Sequence, residues 1–321
     1  MNNPWRDIVP PQADVAARRI DHTHELDLFY ARDALGRCLF VYEHDTPGDD
    51  AAAPMPELEG IQTAFHLSPQ GRRRLVITLK EEAYLELFAV LCQDIVQATR
   101  GHEDAEDALA VILRRLAKWQ QFLKVARTGL LSEEVVKGLI GELLVLRDYL
   151  IPNVGASAVR FWTGPEGAAQ DFCLAQISIE VKCHSAGAHP TVTITSADQL
   201  CAQTPLLYLC VVTLGPAMAD QADALSLPTL AEDISRLLEA KDALMYERFH
   251  DLLYRAGYVP SDRYLDFSYV PLNNRFYEVR EGFPRLCPTD LRPGIVRLSY
   301  AISLEQGEAF LVDPDWREIL Q

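Results

Sequence analysis

Apolar and polar residues alternate with a period of two early in the chain and recur at helical spacing after it. Leu26-Asp27-Leu28-Phe29-Tyr30 and Cys38-Leu39-Phe40-Val41-Tyr42 flank a turn-forming stretch from Arg32 to Gly36, which predicts a β-hairpin over residues 26–42. Leu75-Val76-Ile77-Thr78-Leu79 predicts a further strand, and the Pro-, Asp- and Ala-rich stretch from Thr46 to Pro56 predicts a mobile loop. From Glu81 onward Leu85, Phe88, Ala89 and Cys92 fall on one helical face. A second helical run passes through Leu109, Leu113, Leu116 and Phe122, with the break at Gly101-His102. These segments predict an amino-terminal module, residues 1–129, made of a small antiparallel sheet followed by helices.

A helix is predicted to start at Ser132, whose hydroxyl can accept a backbone N–H, and to run to about Tyr149, before Pro152. Short strands follow at 171–175, 177–181, 191–195 and 206–214. Helices are predicted at 230–238 and 243–256, and strands at 265–270, 276–279 and 295–304. Residues 130–321 therefore read as a second domain of mixed α/β (α+β) order.

Composition narrows the function. The 321 residues are 49% hydrophobic and 24% charged, as expected of a globular chain with real cores. Thirty Lys and Arg against 46 Asp and Glu leave a net charge of −16, which excludes a generally basic nucleic-acid coat. A local basic surface, or a metal that reverses the sign of an acidic pocket, stays open. Cysteines at 38, 92, 173, 183, 201, 210 and 287 form no C-x-x-C pair, so neither a disulfide framework nor a zinc knuckle is predicted. With no apolar run near the roughly 20 residues needed to span a bilayer, the expected location is the cytoplasm.

The chemistry concentrates around Ile177-Ser178-Ile179-Glu180-Val181-Lys182. On a strand Glu180 and Lys182 share one face about 7 Å apart. A tight turn at Ala175-Gln176 would set Asp171 directly opposite Glu180, with Cβ atoms about 5 Å apart. Two carboxylates so placed repel unless neutralised, and hard oxygen ligands suit Mg²⁺. The plain alternative is a solvated strand face. On the helix before them, Gly138, Gly141, Glu142 and Val145 lie together. Glycines inside a helix cost about 1 kcal/mol each, so this face is read as one that packs closely, leaving Glu142 in need of a metal or Lys182 as partner. Alternatively, Glu142 reaches water at the helix edge.

Gly141-Glu142, Trp162-x-Gly164-Pro165, Asp171-Phe172, Ile179-Glu180-Val181-Lys182 and Ser196-x-x-Gln199-Leu200 resemble the PD-(D/E)XK nuclease superfamily, and within it a bacterial branch found among restriction and phage-defence genes. Phe276-Tyr277-Glu278-Val279 and Gly282-Phe283-Pro284-Arg285-Leu286 are similar to the same branch. Gln170 stands where many members have Pro. The resemblance implies a restriction-endonuclease-like core, a mixed sheet flanked by helices, acting as a Mg²⁺-dependent deoxyribonuclease in which Mn²⁺ can substitute. It implies that Asp171 and Glu180 bind the metal, that Glu142 and the carbonyl of Val181 add ligands, and that Lys182 orients the attacking water. Gln199 has two readings: a residue that places Lys182 or DNA, or one half of a capping box with Ser196.

Cys183-His184 and His189 match no zinc spacing and are read as loop residues. No G-x-x-x-x-G-K-[ST] loop argues for ATP hydrolysis. Arg72-Arg73-Arg74 and the helix carrying Arg114, Arg115, Lys118, Lys124 and Arg127 are either solvated surface or phosphate contacts. The expected partners are DNA, defence-system proteins and a second copy of the chain. The competing expectations are a catalytically idle scaffold or DNA-binding subunit, and a hydrolase of small phosphoesters.

Overall fold

In the computed structural model, residues 3–45, 55–56, 58–125, 130–217, 221 and 223–319 are described. The chain divides into two units, Met1–Gly129 with Val259–Ser261, and Leu130–Tyr258 with Asp262–Gln321.

In the first unit the alternating segments pair as an antiparallel sheet in the order β1-β2-β3-β5-β4. The strands are β1 (Val15–Arg19), β2 (Asp27–Asp33), β3 (Cys38–His44), β4 (Ile61–Leu67) and β5 (Arg73–Leu79). The β2–β3 hairpin closes around Gly36, whose φ of 77° needs a residue without Cβ. β1 and β4 were not predicted. Both are edge strands with half-exposed residues, so neither carries a strong apolar alternation. The helices α1 (Leu85–Ala98) and α2 (Ala105–Val125) follow, separated by the break at Gly101. The predicted loop at Thr46–Pro56 lies, apart from Met55 and Pro56, outside the described residues.

The second unit opens with α3 (Glu133–Val145), capped by Ser132, whose side chain accepts from Val135 N. The helix does not stop at Tyr149. It widens into a π turn (Leu146–Leu150) and continues as α4 (Ile151–Val154). Pro152 is the second residue of α4, directly after the π turn. The strands β6 (Phe172–Cys173), β7 (Ile177–Ser185), β9 (Leu206–Pro216), β10 (Leu225–Ser226) and β11 (Ser268–Glu278) form a mixed sheet in the order β10-β11-β9-β7-β6. β7 and β9 run parallel, and the other neighbours antiparallel. The two strands predicted at 265–270 and 276–279 are one, β11, which passes Pro271 by a register shift between Pro271 and Asn273. Helices α5 (Leu227–Glu239) and α6 (Ala243–Arg255) pack with α3 on one face.

β9 explains the layering. Tyr208, Cys210, Val212 and Leu214 enter the core shared with α3, α5 and α6, while Leu207, Leu209 and Val211 enter a second core on the opposite face. Burial on both faces is why this strand reads as an unbroken apolar run. The second core is covered by a two-stranded ribbon of β8 (Thr191–Ile194) and β12 (Tyr300–Ser303), through Val192, Ile194 and Ile302. Only residues 300–303 of the predicted strand 295–304 pair in this way; 295–299 form no ladder. β13 (Leu311–Val312) pairs with β11, and α7 (Trp316–Ile319) follows. Among the described residues no helix is long and apolar enough to cross a membrane.

A disulfide joins Cys201 and Cys287, 86 residues apart. This corrects the expectation of no disulfide. The pair is made by tertiary packing across the second core, and no spacing rule could have found it.

Candidate active site

The β6–β7 hairpin sets the site. Its two-residue turn at Ala175-Gln176 is closed by Leu174 N donating to Ile177 O at 2.8 Å, and the ladder pairs Phe172 with Ile179 and Cys173 with Ser178. One step further, that register places Asp171 opposite Glu180. β6 is only two residues long, so beyond it β7 has no ladder partner on this side. Asp171 Oδ2 takes over that role by accepting from Val181 N at 2.7 Å.

Glu180 and Lys182 alternate with Ile179 and Val181, and point away from α3, to the face of Leu209 and Val211 with which they are in register. The Glu180 side chain is 1% exposed. Its Oε1 lies 2.6 Å from Lys182 Nζ, and its Oε2 is buried without a hydrogen-bond partner among the described residues. Burial, then the nearby charge of Asp171, pushes the Glu180 carboxyl up to about 8. Burial raises Asp171 to about 6, against the opposing effects of the Val181 N–H and Lys182.

Glu142 arrives from α3. Its hydrogen-bond partner is not Lys182 but Trp162, whose indole donates to Oε2 at 2.7 Å. Burial and the charge of Asp171 hold the Glu142 carboxyl well above the usual range, and the indole hydrogen bond opposes this. The Trp162-x-Gly164 motif thus has a job that sequence reasoning did not assign. Thr163 N and Gly164 N both donate to the carbonyl of Asp171, at 2.8 and 3.0 Å, wrapping the loop around that residue. Gly164 is required by space, since a Cβ there would stand 2.9 Å from Asp171 Oδ1 and 3.4 Å from Glu142 Oε2.

The glycine reading of α3 holds for one position of two. A Cβ on Gly141 would meet Cys183 Sγ at 2.4 Å, so this glycine permits the close approach of α3 to β7, whereas around Gly138 nothing lies within 4 Å. Cys183 donates to Lys137 O at 2.9 Å, and burial pushes its thiol up to about 12, far from the thiolate that binds a soft metal. His184 Nε2 pairs with His189 O at 2.8 Å.

Gln199 lies in a single 3₁₀ turn, Ala197–Leu200. Its Oε1 accepts from Thr195 N at 2.8 Å, and the Ser196 hydroxyl accepts from Asp198 N at 3.1 Å. The capping pattern is shifted by one residue from the predicted box, and the amide oxygen of Gln199 is engaged locally. Gln170, noted only as the residue in place of Pro, is the more telling neighbour. It is 7% exposed, and its Nε2 donates to Asp198 O at 2.6 Å and Gln199 O at 3.2 Å, tying the residue beside Asp171 to this turn.

Of the basic groups, Arg72 is committed to Asp27, Glu43 and Asp45, and Arg74 to Asp14 and Glu43, so both serve the first sheet. Arg115 faces Asp94 at 3.8 Å. The side chain of Lys124 and all of Arg127 lie outside the described residues.

Among the described residues no group of three or more His, Cys, Asp or Glu side chains is gathered into a ready cation cage, because Trp162, Val181 N–H and Lys182 each hold one carboxylate. The donor set nevertheless fits a hard divalent cation: one buried and two half-buried carboxyl groups, and one buried oxygen, Glu180 Oε2, with no hydrogen-bond partner among the described residues. No curated protein and no solved structure matches the chain. The family described as "Putative PD-(D/E)XK family member, (DUF4420)" matches over residues 1–305, and with the carboxylate–lysine strand in place the chain belongs to that family.

Proposed function

We propose that this chain is a Mg²⁺-dependent phosphodiesterase that cuts DNA. The observation that carries the reading is the trio of buried Glu180 and half-buried Glu142 and Asp171 beside Lys182, a cluster of mutually repelling acids that no packing requirement explains. Asp171, Glu180 and Glu142, with the carbonyl of Val181, would hold the ion. When bound it supplies a Lewis acid for the phosphoryl oxygens and a water of lowered pKa. Lys182 orients the attacking water and donates to the scissile phosphate, and Glu180 fixes the ammonium in place. Trp162 aims Glu142, and the Gln170 clamp and the 162–164 loop aim Asp171. Gln199 belongs to the turn that receives the Gln170 clamp, and acts through it on position 171.

The net charge of −16 opposes unaided binding of DNA, so partner proteins of a restriction-type defence system are the expected delivery route. Plasmid cleavage with Mg²⁺ or Mn²⁺ by the wild type, Asp171→Ala and Lys182→Ala tests the reading; activity that survives both substitutions overturns it. One observation favours a second reading, a catalytically idle scaffold: Lys182 already compensates Glu180 without a metal. Manganese titration followed by electron paramagnetic resonance separates the two, since an idle site leaves Mn²⁺ free and an active one binds it in a way that Asp171→Ala abolishes.

A further inference from the structure

The sheet face that carries Glu180 and Lys182 is the face covered by the β8–β12 ribbon, because Leu209 and Val211, their register partners, share a core with Val192, Ile194 and Ile302. The chain reaches β12 through a segment anchored on the same side. Arg285 Nη1 donates to Leu200 O at 3.1 Å, Leu286 N donates to Tyr300 Oη at 3.0 Å, and Cys287 is bonded to Cys201. These anchors fix both ends of a loop, Arg292-Pro293-Gly294-Ile295-Val296-Arg297, all six residues of which are exposed. Gly294, at a φ of 92°, makes its turn, and Ile295 N closes it on Arg292 O at 3.2 Å. Val296 is 98% exposed and Ile295 48%.

Two features set this loop apart. Arg292 and Arg297 make no ion pair or hydrogen bond among the described residues, in a chain whose acids outnumber its bases by sixteen. Between them project two branched apolar side chains on a turn stiffened by Pro293. Paired cations flanking an apolar tip match the edge of a DNA groove, with guanidinium groups on phosphates and aliphatic groups against the sugars and base edges.

We infer that the 292–297 loop is a contact for duplex DNA on the carboxylate face of the sheet, with Arg292 and Arg297 on backbone phosphates and Ile295 and Val296 in the minor groove. This rests on the nuclease reading for the choice of DNA. The experiment measures binding and cutting separately: fluorescence anisotropy of a 30-base-pair duplex in EDTA, and plasmid nicking in Mg²⁺. The proteins are the wild type, Arg292→Gln/Arg297→Gln, Val296→Ser and Asp171→Asn, each checked for an unchanged far-ultraviolet spectrum. Losing two phosphate contacts lowers the slope of log K against log salt by about 1.8. The double variant is expected to show that decrease and at least tenfold weaker binding, Val296→Ser weaker binding at an unchanged slope, and Asp171→Asn duplex binding within threefold of wild type without cutting. A double variant that binds like a cutting wild type overturns the loop contact and leaves the nuclease reading standing. A wild type that binds no duplex overturns the loop contact, and its cutting assay then judges the nuclease reading alone. Equal competition by single-stranded DNA overturns the groove assignment.

Discussion

Asp171 is held from both ends, its carbonyl by the N–H groups of Thr163 and Gly164 and its carboxylate by that of Val181. Such restraint keeps it beside two other acids at a cost in stability, and the sign of that cost is testable. The folded-state values of Asp171 and Glu180, about 6 and about 8, lie above their ordinary values of 3.8 and 4.5. The native state therefore binds more protons than the unfolded one between about pH 4 and 8, and this contribution to stability is full below that window and lost as pH rises through it. Urea unfolding in EDTA should thus give a less stable protein at pH 8 than at pH 5. Asp171→Asn keeps an acceptor for Val181 N–H and removes a charge, so it should raise metal-free stability at pH 8 by about 1–2 kcal/mol while abolishing cleavage. Trp162→Phe retains a ring against Phe249 but leaves Glu142 without its donor. The expected outcome is cleavage at least tenfold slower with a stability loss of about 1 kcal/mol, read from initial rates and a denaturant midpoint.

At the scale of elements, the close contact of α3 with β7 is what brings Glu142 within reach of Asp171. Gly141 makes that contact possible. Gly141→Ala gains about 1 kcal/mol of helix propensity but drives a methyl into Cys183, so a net loss of about 1–3 kcal/mol is expected. Shortening the thiol with Cys183→Ala should restore part of it. Gly138→Ala has open space around it and should instead stabilise by up to about 1 kcal/mol. A thermal unfolding series of Gly141→Ala, Gly141→Ala/Cys183→Ala and Gly138→Ala checks both signs. The register of β6 with β7 was readable from the two-residue turn and the period-two pattern, and the same arithmetic set Asp171 against Glu180. The partner of Glu142 was not readable, since Trp162 is 20 residues away and its indole reaches the carboxylate only after the loop has folded over the hairpin.

Across the whole molecule, charge has been sorted. In the first unit Arg72 and Arg74 close ion pairs on their own sheet, while the second unit carries buried Glu180 with half-buried Glu142 and Asp171 at one sheet edge, and Arg292 and Arg297, without an ion pair among the described residues, on the loop before β12. A chain at −16 should bind duplex DNA no better than micromolar at physiological salt, and anisotropy between 50 and 200 mM salt should show affinity falling by well over tenfold if even a few phosphates are engaged.

By itself the sequence determined the order and period of most elements, the hairpin register, and the alternation that puts Glu180 and Lys182 on one face. These follow from local rules of turn length, side-chain period and residue chemistry. Only the tertiary structure decided that Trp162 serves Glu142, that Gln170 ties the site to the turn at 197–200, that β11 runs unbroken past Pro271, and that Cys201 meets Cys287. Each of those is a contact between residues distant in the chain or a compensation for a locally unfavourable residue, and its energy exists only once the two layers have closed on the sheet.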